Sequence, residues 1–207
     1  MSVAELAIAM FVMASLLGTF YATYSRFLRD VAVTEELASI ERASRPAINQ
    51  LMIELRQSVA PDAAAAGQPV EELSGDHIVF YSDRARAEGP EKYHYERVNC
   101  VSSMCELELS VTFADPGTGP NWTYDTTPSY TRTIIERLPE AVTLFTGRAS
   151  TPGGLLDVAS CDRTIGGGTP CDFNAVLVEI HVAPNDRAPA PRNFEVIEEV
   201  KLRNAAF

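Results

Sequence analysis

Between Leu6 and Tyr24 the chain holds no formally charged residue, and the run is close to the roughly 20 apolar residues that cross a bilayer. It reads as a membrane-competent helix. The sequence also lacks a basic stretch ahead of that run. Only Met1 to Ala4 precede Glu5, an acid, which argues against a secretory signal peptide. Basic charge is scarce throughout, with 17 Lys and Arg against 28 Asp and Glu and a formal net charge of -11. Such a chain is repelled by phosphate backbones, so bulk nucleic-acid binding is not expected. Missing too are the G-x-S-x-G nucleophile elbow, the G-x-x-x-x-G-K-[ST] phosphate loop and the H-E-x-x-H zinc helix. The adjacent acids Glu71 and Glu72, or Glu198 and Glu199, read as solvated charges. Neither an enzyme nor a cofactor is expected, and no internal repeat is visible.

Cysteine is sparse, with four in 207 residues, and they fall as two local pairs in loop-rich sequence, Cys100 with Cys105 and Cys161 with Cys171. Four cysteines allow three pairings, and zinc or free thiols are alternatives. Neither pair has the two-residue spacing of a zinc knuckle, and His77, His94 and His181 sit inside strand-like runs, so no metal site is expected. Two local disulfides imply an exported protein, each bridge adding about 2–3 kcal/mol.

What is present begins with Glu5, a lone carboxylate at the head of an apolar helix. A carboxylate in an apolar assembly is tolerable only when paired. The amino terminus at Met1 supplies a positive charge one helical turn away, so Glu5 reads as the acceptor for the terminal amine of a neighbouring copy. A plain transmembrane anchor, with Glu5 incidental near the interface, is the rival.

"MSVAELAIAM" resembles the mature start of a type IV pilin or pseudopilin, whose families carry an N-methylated Phe or Met followed by Glu at the fifth position of an apolar helix. Met1 and Glu5 match that pattern. "RPAINQLMIELRQSV", "GDHIVFYSD", "KYHYE" and "VIEEVKLRN" more loosely resemble PilW-type minor prepilins and the J-pseudopilins of type II secretion. The resemblance implies that Met1 is N-methylated and that a leader ending in Gly has been removed by a prepilin peptidase. It further implies identical subunits in a helical filament, inserted in the inner or cytoplasmic membrane before assembly by the pilus machinery and displayed at the cell surface afterwards. The implied roles include adhesion, motility and secretion. The alternatives are a minor pilin or pseudopilin that primes a pilus or type II secretion filament, and a membrane-anchored monomeric binding protein. One departure is the absence of the helix-bending Pro near the twentieth residue; Gly18 is close by and Pro46 falls much later.

Along the chain, residues 1–24 form the apolar helix and 25–59 its amphipathic continuation, with Val33, Leu37, Ile40, Ile48, Leu51, Met52 and Leu55 at helical spacings. A kink is expected near Arg42 to Ser44, because Pro46 lacks a backbone donor. Residues 60–75 read as a linker with Pro61, Gly67 and Pro69 as breakers. From 76 to 207 the period becomes two, in "HIVFYSD", "KYHYERV", "CELELSVTF", "YTRTIIERL", "AVTLFTG", "NAVLVEIHVA" and "FEVIEEVKL". The expectation is an α+β chain, with a mainly antiparallel sheet head resting on the amphipathic half of the long helix. Two surface loops remain. One carries the sequon Asn121-Trp122-Thr123, a candidate glycosylation site at Asn121. The other holds Asp157, Asp162 and Asp172, oxygen ligands that could suit calcium but lack EF-hand spacing, so a solvated loop is expected.

Overall fold

A computed structural model describes residues 2–61, 68–84, 89–119, 122–151, 154–162, 171, 173–183 and 194–202. The protein is α+β, a long N-terminal helix packed against antiparallel sheets. Helix α1 runs from Val3 to Arg56, 54 residues and so about 80 Å at about 1.5 Å per residue. Ser2 caps it: its hydroxyl accepts from the Glu5 amide while the Glu5 carboxylate accepts from the Ser2 amide, a reciprocal capping box. Arg56 in the last turn complements the helix dipole, and the Gln57 amide closes the end by donating to the Ile53 carbonyl. Pro46 lies inside α1 without ending it.

Only the last part of α1 is buried. Ser44, Ile48, Leu51, Met52 and Leu55 recur at spacings of four, three, one and three, which places them on one face. Ile40 and Ala47 pack partly against the same core, whereas Val33 and Leu37, expected under the sheet, are only half-buried. The helix packs mainly on β2 (His77–Ser82), β5 (Tyr130–Pro139) and β10 (Phe194–Lys201).

The head contains two sheets. In the first, β1 (Val70–Leu73), β2, β3 (Glu91–Val101), β4 (Met104–Thr112), β5 and β8 (Cys161–Asp162) lie in the order β5-β4-β3-β2-β1-β8. In the second, β6 (Phe145–Thr151), β7 (Gly154–Val158), β9 (Ala175–Val182) and β10 lie in the order β10-β9-β6-β7. Every pairing is antiparallel. Alternation sets the faces: Leu107, Leu109 and Val111 of β4 point inward while Glu106, Glu108 and Ser110 do not, and Val176, Val178, Ile180 and Val182 of β9 do likewise. Phe80 stacks between Tyr93 and Tyr95, with ring centroids 5.5 and 6.0 Å away. With Leu138, Leu144 and Phe145 these side chains form one core continuous with Leu51 and Leu55 of α1.

Three differences from the sequence expectation have physical causes. The stretch 60–75 carries β1 at its far end, a short "VEEL" strand whose paired acids hide its period. In "AVTLFTG" the strand starts only at Phe145: the nearly buried Arg97 guanidinium donates to the carbonyls of Val142 and of Glu140 just ahead of the run, and Val142 stays outside the ladder. The second loop, read as irregular, supplies β7 and β8.

Leu55 sits at the centre of the helix-to-sheet contact and is fully buried. Leu55→Ala is expected to lower head stability by about 2–5 kcal/mol. Denaturant titration of the detergent-solubilised chain, followed by fluorescence of Trp122, measures this.

Candidate functional site: an uncovered apolar helix

The first half of α1 has apolar side chains on every side, and among the described residues nothing covers them. Val3, Ile8, Phe11, Leu17, Phe20 and Phe27 are all exposed, and none of the most apolar window is buried. By length and composition this helix can cross a membrane. Its few hydroxyls are satisfied internally. Ser15 donates to the Phe11 carbonyl at 2.9 Å, Thr19 to Leu16 at 2.9 Å and Thr23 to Thr19 at 2.9 Å, so they present little polarity outward. Formal charge resumes at Arg26.

Glu5 lies at the tip of this surface. One carboxylate oxygen accepts from the Ser2 amide at 2.8 Å; the other has no partner among the described residues. The capping box therefore points the acid back toward the chain start and leaves an acceptor there. Met1, to whose counterpart on a neighbour this acceptor was assigned from sequence, lies outside the described residues, as do Asn121 and Asp172.

The disulfides Cys100–Cys105 and Cys161–Cys171 are both formed, and no described cysteine is free. Cys100 and Cys105 flank a two-residue hairpin turn at Ser102 and Ser103, whose φ values of 54° and 63° are those of a primed turn. The second bridge ties β8, at the edge of the first sheet, to Cys171 beside Phe173 in the core. The long apolar helix and the two disulfides fit membrane insertion and an extracytoplasmic location.

Sequence reasoning missed the polar group at the head's seat. Glu54 is fully buried, accepting from Gln50 Nε2 at 2.7 Å, from the Tyr95 hydroxyl and from Arg84 Nη1 at 2.9 Å. Burial pushes its carboxyl above the ordinary value of 4.5, against the lowering pull of Tyr95, Gln50, Arg84 and Arg132. Burial likewise raises the Tyr95 and Tyr93 hydroxyls, with Glu54 adding to the shift at Tyr95 and Glu91 at Tyr93. Beside this network a cleft of about 610 Å³ is lined by Gln50, Ile53, Arg84, Glu91, Tyr93 and Arg132. Its cations are engaged within the chain, Arg84 with Glu54 and Arg132 with Gln50. In the run "NQLMIELRQ" the signal was an acid, Glu54, interrupting the apolar face between Leu51 and Leu55.

Of the acids considered for calcium, Asp157 pairs with Arg148 at 3.4 Å and Asp162 lies opposite Glu72 in the β1–β8 ladder. Among the described residues, ligand atoms converge instead at Glu179, His181 and Glu195 on β9 and β10. Glu179 and His181 are two apart on one strand face, which is visible in sequence; the cross-strand Glu195 is not.

No protein-family model, no curated protein and no solved structure matches this chain.

The Glu54 carboxyl binds its proton more tightly in the folded chain than in the unfolded one. Its contribution to stability is therefore fullest below about pH 4.5 and is lost as pH rises through its folded value. The stability of Glu54→Gln relative to the parent should accordingly rise as pH increases from about 4 toward 8. Denaturant titrations at several pH values measure this, and parallel pH profiles for the two proteins would contradict it.

Proposed function

We propose that this chain is a structural subunit of an extracellular type IV pilus filament and polymerises through the N-terminal half of α1. One observation carries the reading: an apolar surface around the N-terminal half of the helix, left uncovered by the described head residues yet on the same helix as the segment that seats the head. A helix apolar all round needs lipid or other helices about it. On this reading it has lipid first, in the inner or cytoplasmic membrane, and then copies of itself in the fibre core, with the heads coating the outside. The partners are identical subunits, a prepilin peptidase and the pilus assembly machinery, and the role is mechanical rather than catalytic.

Within the fibre, the free oxygen of Glu5 accepts from the N-methylated Met1 amine of a neighbour. The capping box supports this by fixing where the acid points. Both charges would otherwise enter an apolar core unpaired, at about 3–5 kcal/mol for each broken pair.

Electron microscopy and mass spectrometry of material sheared from the cell surface test the assignment. The chain is expected in the fibres; its presence in the membrane fraction alone would overturn the filament reading in favour of a monomeric anchored protein. Glu5→Gln or Glu5→Ala is expected to leave the head folded and abolish most of the fibre. A normal fibre yield would remove the role given to Glu5.

A further inference from the structure

We infer that the outer face of the second sheet carries a divalent transition-metal site, selective for Zn²⁺ over Mg²⁺ or Ca²⁺, built from Glu179, His181 and Glu195. Glu179 Oε1 lies 2.9 Å and Glu195 Oε1 3.6 Å from the same nitrogen, His181 Nε2. The three ligand atoms all fall within 4.8 Å of one another. A neutral imidazole offers either one proton or one lone pair at Nε2, so it cannot donate to both carboxylates well. A cation at the point of convergence satisfies all three, accepting the Nε2 lone pair and one oxygen from each acid.

The framework is suited to holding them. Glu195 pairs directly with His181 across the strands, Glu179 lies two residues back on the same face, and the β9–β10 ladder runs from Phe194–Val182 to Lys201–Ala175 without a register shift. Ligands on a regular antiparallel ladder lose little freedom when they bind. Among the described residues the two carboxylates also have no basic partner other than His181, while Arg148, the basic residue of the neighbouring strand, is engaged by Asp157 and Glu199. His181 is mostly covered and Glu195 about half exposed, which leaves an approach from solvent and a fourth position for water. One imidazole with two carboxylates is a borderline donor set that suits Zn²⁺, whereas Mg²⁺ and Ca²⁺ prefer all-oxygen shells.

One other place on the described surface competes for the same ion. On the first sheet His77 and His94 meet edge to face at 5.8 Å, with Glu72 3.5 Å from His77 and Glu96 3.6 Å from His94. There each imidazole faces its own acid, and burial lowers the His94 pKa. The two sites are separable by mutation.

The test is calorimetric titration of ZnCl₂, with MgCl₂ and CaCl₂ as controls, into the full chain in detergent micelles and a non-chelating buffer. Zn²⁺ is expected to bind one ion per chain, with no heat from Mg²⁺ or Ca²⁺. His181→Ala should weaken binding by at least the roughly 10–100-fold that loss of even an outer partner costs. Glu195→Gln, an isosteric change at an exposed position, should weaken it while leaving circular dichroism unchanged, and decides the matter if His181→Ala does not fold. The His77→Ala/His94→Ala double variant should bind as the parent does. No Zn²⁺ binding, or binding lost in the double variant and kept in Glu195→Gln, overturns the site. None of these readouts depends on filament assembly, so the site and the filament reading fail independently.

Discussion

Two different surroundings must be satisfied by one helix. Near its C-terminal end, Ile48, Leu51, Met52 and Leu55 are buried between α1 and strands of both sheets. Near its N-terminal end, beyond Glu5 in the first turn, the same helix offers apolar side chains and internally bonded Ser and Thr hydroxyls. α1 continues through Pro46 as a single element, so the apolar end and the seat of the head belong to one helix. A flexible joint would decouple the two; the contact around Leu51 and Leu55 removes that freedom for the segment it covers.

The seat is not purely apolar, and this fixes how the head sits. A helix can slide or rotate over a smooth apolar sheet at little cost, since hydrophobic burial has no direction. Glu54 ends that indifference by collecting Gln50 from its own helix, Tyr95 from β3 and Arg84 from the chain beyond β2. Arg132 of β5 reaches Gln50, and Glu198 of β10 pairs with Arg56. Displacement by one residue would leave a carboxylate buried and unpaired, which costs several kcal/mol. The raised carboxyl pKa is the other side of the same arrangement, a desolvation cost accepted for a fixed register.

Much of this was legible, and the exceptions follow from what local pattern can carry. The helix could be read because absent charge and 3.6-residue spacing are local. Strands such as β4 and β9 could be read because "CELELSVTF" and "NAVLVEIHVA" alternate cleanly. The division into two sheets could not, since it depends on which strands pair across long gaps, as β6 does with β9 and β1 with β8. The strand of "AVTLFTG" starts later than its apolar pattern suggests, at Phe145, and a donor distant in sequence, Arg97, takes the Val142 carbonyl ahead of it. Of the candidate functional surface, Glu5 stood out by position alone. Glu195 beside His181 was hidden, as their juxtaposition exists only once β10 pairs with β9.

The distribution of charge then says which part of the molecule can drive association. Along α1, Arg26, Arg29, Arg42, Arg45 and Arg56 nearly balance Glu5, Asp30, Glu35, Glu36, Glu41 and Glu54, so most of the chain's net charge of -11 belongs to the head. Heads brought side by side repel within about 8 Å at physiological ionic strength and little beyond it. The apolar arm has no such penalty, and burial gains about 25 cal/mol for each Å² removed from water. Attraction is therefore concentrated at one end of the molecule and repulsion at the other. On the filament reading proposed above, copies would be drawn together by their arms and kept spaced by their heads, a distribution that favours ordered lateral packing around an apolar axis over indiscriminate aggregation of whole molecules.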